Sequence, residues 1–348
     1  MKKLLSLAIA AALVAPVAAM ADATIYGKVR QSFDMVNDER NQNAEVDNFQ
    51  INDRTSRLGV KGSEDLGNGL TGVYKIEYEV HISTNPDDGK EFAGDGSLGA
   101  RNAFVGLAGG FGTFVIGRHD TPLKISTASL DYFGDTIIDN NKDYTEYLQD
   151  RRADGTIAYI SPSLGGIATI AAALVPGENN EADGIADAYS LAAMFSYAGG
   201  YASLAYEGAD GNIDAIHTDK ADLTQIRAGL GYDGGMFKVG FVYETMTADN
   251  PGPGDDLIDS TSMSLNGGVK LGSGMLVAKY FDYENEGSVN PGLQALPVKN
   301  SDDHDGFGIG YHFDMSKRTQ LMANYVKSSF DKQDGDVSIF SLQVNHDF

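Results

Sequence analysis

Residues 73–80 read Val73-Tyr74-Lys75-Ile76-Glu77-Tyr78-Glu79-Val80. Tyr74, Ile76, Tyr78 and Val80 share one face, while Lys75, Glu77 and Glu79 share the other. That period of two belongs to a strand, not to the 3.6-residue repeat of a helix. The C-terminus repeats it: Phe340, Leu342, Val344, His346 and Phe348 alternate with Ser341, Gln343, Asn345 and Asp347. Residues 237–244 set Phe237, Val239, Phe241 and Tyr243 against Lys238 and Glu244.

Working outward, such segments are separated by gaps of two kinds. Seven are short and mostly Gly-rich, such as Asp65-Leu66-Gly67-Asn68-Gly69 and Ala198-Gly199-Gly200, as tight hairpins require. Eight are long and mainly polar or acidic: 35–53, 81–99, 119–150, 176–187, 208–222, 248–258, 285–304 and 329–335. Strict alternation of the two kinds delimits sixteen segments. Short turns on one rim and long loops on the other are the pattern of an outer-membrane barrel. A strand of about 10 residues tilted by about 40° spans roughly 25 Å, the height of the apolar band. A soluble sandwich or solenoid is the competing architecture, and the long-short rhythm favours the barrel.

Composition agrees. The 348 residues carry 26 Lys plus Arg against 49 Asp plus Glu, a formal charge of -23 that disfavours nucleic acid as a partner. With no Cys there is no disulfide framework or thiolate metal site. With no Trp, the aromatic girdles of a barrel must come from the 17 Tyr and 16 Phe. Lys2 and Lys3, the apolar run Leu4 to Ala15 and the small residues Ala19 and Ala21 predict a signal peptide over 1–21, cleaved before Asp22. Residues 22–348 then form a single barrel domain. No later stretch offers 18 consecutive apolar residues for a spanning helix.

Several stretches, in order, resemble the trimeric general diffusion porins of Gram-negative bacteria. They are Ile25-Tyr26-Gly27-Lys28-Val29, Ser56-Arg57-Leu58-Gly59-Val60-Lys61-Gly62, Arg101-Asn102-Ala103-Phe104-Val105-Gly106-Leu107, Gly112 to Arg118, Asp314 to Thr319 and the terminal Phe348. The resemblance implies a sixteen-stranded antiparallel transmembrane β-barrel with short periplasmic turns, long extracellular loops and a third loop, here 119–150, folded into the lumen. It also implies a homotrimer in the outer membrane, in contact with lipid and lipopolysaccharide. The C-terminal strand ending in Phe348 resembles the signal read by the barrel-assembly machinery. The function implied is passive diffusion of small hydrophilic solutes and ions, selected by size and charge.

Parity assigns the lumen face. Taking Tyr74 and Ile76 as lipid-facing turns Lys75, Glu77 and Glu79 inward. Lys28 and Arg30 oppose Ile25 and Val29, Arg57 and Lys61 oppose Leu58 and Val60, Arg101 opposes Phe104, and Arg152 opposes Ile157 and Tyr159. The resemblance makes Lys28, Arg57, Arg101 and Arg152 the basic wall of a constriction. Arg30, Lys61 and Lys75 are further lumen candidates. Asp131, Asp135 and Asp139 are the acids expected to face that wall across water. Opposed charges of this kind would create a transverse field. The acidic surplus of the long loops predicts a modest cation preference.

Other signals carry less. Gly94-Asp95-Gly96-Ser97-Leu98-Gly99 fits the dinucleotide-binding spacing, but it opens into a strand, not a helix. The six His residues show no pair at metal-binding helical spacing, and 300–306 is only a partial calcium loop. No cofactor, no metal and no catalytic constellation is expected. A substrate-specific anion or sugar porin is the alternative function. A sugar track would need lumenal aromatics, which parity mostly turns outward.

Overall fold

The computed structural model describes residues 23–40, 46–83, 98–142, 144–146, 148–177, 185–210, 222–249, 256–287, 303–331 and 335–348. The expected signal peptide lies outside the described residues, as do the acidic clusters at 85–88 and 178–184, Asp255, Asp302 and most of the 94–99 motif.

The described strands are β1 (Thr24–Asp38), β2 (Val46–Asp53), β3 (Arg57–Gly67), β4 (Leu70–Val80), β5 (Leu98–Gly109), β6 (Gly112–Asp120), β7 (Arg152–Ile160), β8 (Ala168–Val175) and β9 (Ala188–Tyr197). They continue with β10 (Gly200–Ala209), β11 (Leu223–Asp233), β12 (Phe237–Ala248), β13 (Ile258–Leu271), β14 (Gly274–Asn285), β15 (His304–Asp314), β16 (Thr319–Phe330) and β17 (Gly335–Asp347). Apart from β2 and β3, which both pair with β1, each pairs antiparallel with its sequence neighbour, and β1 pairs with β17, so the sheet closes. β2 and β3 occupy one position in the wall. β2 pairs with the outer half of β1 and β3 with its inner half, and the chain bends between them at Thr55, whose φ is 60°. The barrel therefore has sixteen staves.

β2 lies inside the first gap, which the sequence suggests is a loop. Phe49 and Ile51 do alternate with Gln50 and Asn52, but the Asn and Asp content obscures the period. This stave runs on towards the long-loop rim, beside β1 as far as Asp38.

Burial is inverted relative to a water-soluble protein. Ile116 is 62% exposed and Leu230 59%, whereas Ser264 and Asn266 are each 1% exposed. The outer face meets hydrocarbon and the inner face holds the polar groups. Several of the exposed Tyr and Phe rings gather near the two rims.

 Phe111, Phe114 and Tyr159 cluster near the short-turn rim, as do Tyr232 with Phe237 and Tyr311 with Phe313. Tyr159 and Tyr311 donate their hydroxyls to turn carbonyls, of Phe111 at 2.6 Å and Leu271 at 2.8 Å. Nearer the other rim, Phe33 stacks on Phe49, and Tyr189 on Tyr206. These amphipathic rings stand in for the absent Trp.

Besides a register shift at the β3–β4 turn between Asp65 and Gly67, two bulges reset the alternation further up the wall. Between Ile76 and Tyr78 the pairing with β5 shifts, so that Arg101 and Asn102 together oppose Glu77. Below the bulge Phe104 pairs with Lys75 and lies on the lumen side, while Val105, 64% exposed, faces outward. The parity argument that set Arg101 opposite an outward Phe104 is thus corrected: the extra residue of the bulge turns Arg101 inward. A second bulge lies between Gly117 and His119, opposite β7.

Candidate functional site

The chain between β6 and β7 does not leave the barrel but runs along its inner wall. It is not structureless either. Helix α1 (Pro122–Thr127) begins it, with Pro122 in the first turn and the Thr121 hydroxyl accepting from the Lys124 N–H at 3.4 Å. Leu123 is fully buried, and its N–H donates to Ser190 Oγ on β9 at 3.0 Å. The loop then passes β11, β12 and β15, with Leu130, Phe133, Ile137 and Ile138 buried against the wall.

Glycines make that approach possible. A Cβ on Gly229 or Gly231 would lie 2.7 or 2.5 Å from Leu130, and one on Gly308 would lie 2.6 Å from Ile138. Strand interiors usually avoid Gly. The Gly-x-Gly pairs at 229/231 and 308/310 are therefore the sequence signal for the loop's path, one that strand alternation alone does not reveal.

Buried ion pairs fix the return path. Arg227 donates to Asp150 Oδ1 at 2.6 Å and to Glu244 Oε2 at 2.5 Å. Arg151 reaches Glu207 Oε1 at 3.1 Å and Gln225 Oε1 at 2.8 Å. Lys279 Nζ lies 2.7 Å from Glu146 Oε1, 3.1 Å from the Ile138 carbonyl and 3.9 Å from Asp131 Oδ1. Burial pushes the Asp131 carboxyl up to about 7; Lys279 opposes the rise, and Asp139 and Glu146 reinforce it. Burial likewise raises Glu146 against the pull of Lys279, and Asp139 against those of Lys142 and Lys279.

The three candidate loop acids therefore have different surroundings. Asp131 turns towards Lys279 on β14, away from the basic wall. Asp139 accepts from the N–H of Asp135 at 2.6 Å and so braces the loop itself. Asp135 alone meets the basic wall, where one carboxylate oxygen takes both Arg30 and Arg57. Its backbone carbonyl accepts from Gln343 Nε2 on β17 at 2.9 Å. Its φ of 59° marks the turn that directs it away from Asp131.

The wall from β1 to β7 gathers the basic candidates, with acids between them. Arg101 pairs with Glu77 at 2.7 Å and Glu79 at 3.1 Å, and Lys75 with Glu77 at 3.2 Å. Arg152 Nε donates to Asp120 Oδ1 at 2.9 Å and Asn102 Oδ1 at 2.8 Å. Lys28 lies 3.5 Å from Asp347, and Lys61 sits over the Tyr26 ring at 5.1 Å.

A family model described as Gram-negative porin matches residues 7–333. The chain belongs to the Gram-negative porin family. Porins are outer-membrane channels through which small solutes diffuse passively, and that is the function of this chain. The porin is 26% identical over 338 residues to the major outer membrane protein P.IB of Neisseria meningitidis serogroup B / serotype 15 (strain H44/76), covering 93% of this chain and 92% of the relative. Its fold matches the anion-selective porin from Comamonas acidovorans with a TM-score of 0.75 at 21% identity, over 94% of this chain and 100% of that one. It also matches OmpT of Vibrio cholerae, solved in trimer form, with a TM-score of 0.67 at 18% identity, over 94% and 99%. At the C-terminus of this porin, the Phe348 N–H and carbonyl bond Gly27 at 3.0 and 3.1 Å, and its ring covers Gly27, where a Cβ would lie 2.2 Å from Phe348 Cζ.

Proposed function

We propose that solutes pass between the infolded loop and the wall of β1–β7, and that Lys28, Arg30, Arg57, Arg101 and Arg152 with Asp135 form the selecting eyelet. The observation that carries this reading is Asp135 held by Arg30 and Arg57 while the rest of the loop is tied to the opposite wall. Size selection follows from a loop that cannot swing freely, because buried ion pairs and apolar packing hold it along its length. Charge selection follows from the imbalance at the wall. Arg30 and Arg57 share one carboxylate, and Asp131 and Asp139 are turned elsewhere. The eyelet therefore favours anions, although the chain as a whole is acidic; local charges outweigh those more than a Debye length away. The Comamonas relative, described as anion-selective, is consistent with this sign.

Permeation needs no bound intermediate. A hydrated ion exchanges part of its water for fixed charges and leaves again, so the rate follows bulk mobility. The working form is a homotrimer, as in the trimer form of the Vibrio relative. The short-turn rim faces the periplasm and the long loops face outward beside lipopolysaccharide. Residues 1–21 direct export, and the strand ending in Phe348 is read by the assembly machinery. Planar-bilayer recording tests the reading: channels should close in three equal steps, and the reversal potential in a KCl gradient should carry the sign of an anion preference. A current that saturates at low concentration of one solute would instead indicate a substrate-specific channel.

A further inference from the structure

We propose that Asp53, Glu79 and His81 form a binding site for a divalent transition-metal ion, of zinc's chemistry, at the bend between β2 and β3. Each residue offers one ligand atom, and these atoms lie within 4.8 Å of one another. No sequence spacing reveals the group, because it is assembled across strands. Asp53 ends β2, and Glu79 and His81 stand at the end of β4. The bend between β2 and β3 brings them together, with the Val80 N–H donating to the Ser56 carbonyl at 2.8 Å.

Three features distinguish this group from a surface cluster of acids. His81 is 3% exposed, and its Nδ1 has no hydrogen-bond partner among the described residues. A buried imidazole nitrogen left unpaired costs free energy that a ligand would recover. Asp53, 7% exposed, is already aimed. Its Oδ1 accepts from the Ser56 N–H at 2.8 Å, and its Oδ2 from Gln31 Nε2 at 3.0 Å and the Ile82 N–H at 3.4 Å. A carboxylate has about four acceptor positions, so one remains, in an orientation held as outer-shell bonds hold metal ligands. Glu79 is oriented by Arg101 through Oε2, and Gly99 leaves space at the group, since a Cβ there would lie 3.7 Å from His81 Nε2.

The donor set selects the ion. One imidazole and two carboxylates suit zinc, whereas magnesium and calcium prefer oxygen alone. Ligand atoms about 2.1 Å from a tetrahedral zinc stand about 3.4 Å apart, so shifts of about 1 Å close the site and leave a position for water. The two carboxylates balance the ion's charge; Arg101 keeps Glu77 as its second partner.

The test uses the full-length refolded protein in detergent, stripped with chelator and titrated with ZnCl2 by calorimetry. One site per chain is expected, with a dissociation constant in the micromolar range. His81→Gln and Asp53→Asn should each weaken binding at least about tenfold, while His346→Gln, near the short-turn rim, should not. Zinc-edge absorption of the loaded wild type gives an independent readout that needs no variant: one imidazole and otherwise oxygen ligands. Absence of stoichiometric binding, wild-type affinity in both folded variants, or a first shell with no imidazole or with several would overturn the proposal.

Discussion

Replacing Asp135 by Asn removes one negative charge from the contact between the loop and the basic wall. The side chain keeps its size, and Asn tolerates the left-handed φ of 59° that this residue adopts. Arg30 and Arg57 then lose the carboxylate they share, and the eyelet gains one positive charge. For an ion passing about 6 Å away in water the bare interaction is about 0.7 kcal/mol. A Debye length of about 10 Å at 0.1 M salt reduces it to about 0.4 kcal/mol. Anions gain that amount and cations lose it, so the anion-to-cation permeability ratio should rise about fourfold at 0.1 M. At 1 M, where the Debye length is about 3 Å, the same arithmetic gives about 1.4-fold. Reversal potentials of single channels in KCl gradients at the two mean concentrations measure both. An unchanged ratio at 0.1 M, in a protein whose melting temperature in detergent is unchanged, would refute the placement of Asp135 in the ion path. A shift of equal size at both salt concentrations would refute its electrostatic origin.

Three further outcomes follow from the loop's anchorage. Lys279→Met leaves Glu146 and Asp131 buried without their cation, a loss of about 3–5 kcal/mol; a lower melting temperature in detergent and noisier open-channel currents should report it. Gly308→Val places side-chain atoms where Ile138 packs, and overpacking of about 1–3 kcal/mol should push the loop into the passage and lower single-channel conductance. The third is a pH dependence. Asp131, pushed up to about 7, and the raised Asp139 and Glu146 bind more protons in the folded state than in the unfolded one. Stability from these groups is therefore greatest at low pH and falls as pH rises from about 4 to about 7. The loop should resist proteolysis better at pH 5 than at pH 8, and equal or reversed protection would refute the burial of these carboxyls.

The barrel was legible because lipid imposes a rule that every stave obeys: the outward residue is apolar, and the period is two. That rule reads Ile76 and Tyr78 against Glu77 without knowledge of any partner strand. It fails where the chain adds a residue. Arg101 reaches the lumen through a bulge, and Phe104, three positions on, faces inward as well; nothing local to β5 announces the extra residue. The first long gap conceals a strand for a related reason: β2 extends the wall with polar side chains, where the apolar signal fades.

The site was harder to read because its charges are matched across long sequence separations. Asp131 and Asp135 stand four residues apart in one acidic stretch, yet they face opposite walls. Asp131 turns to Lys279, and Asp135 to Arg30 and Arg57. The turn at Asp135 separates them, and no pattern in the stretch predicts which acid goes where. The consequence bears on the sign of selectivity. A loop with all three acids on the basic wall would set a balanced pair of charges across the water. Here Asp131 and Glu146 are spent on Lys279 and Asp150 on Arg227, which leaves Asp135 as the loop acid at that wall. The acidity of the chain as a whole therefore suggests the opposite sign from that of the proposed eyelet, whose nearest charges are basic, and the eyelet's own sign is read at salt concentrations where the Debye length is shorter than the distance to the outer loops.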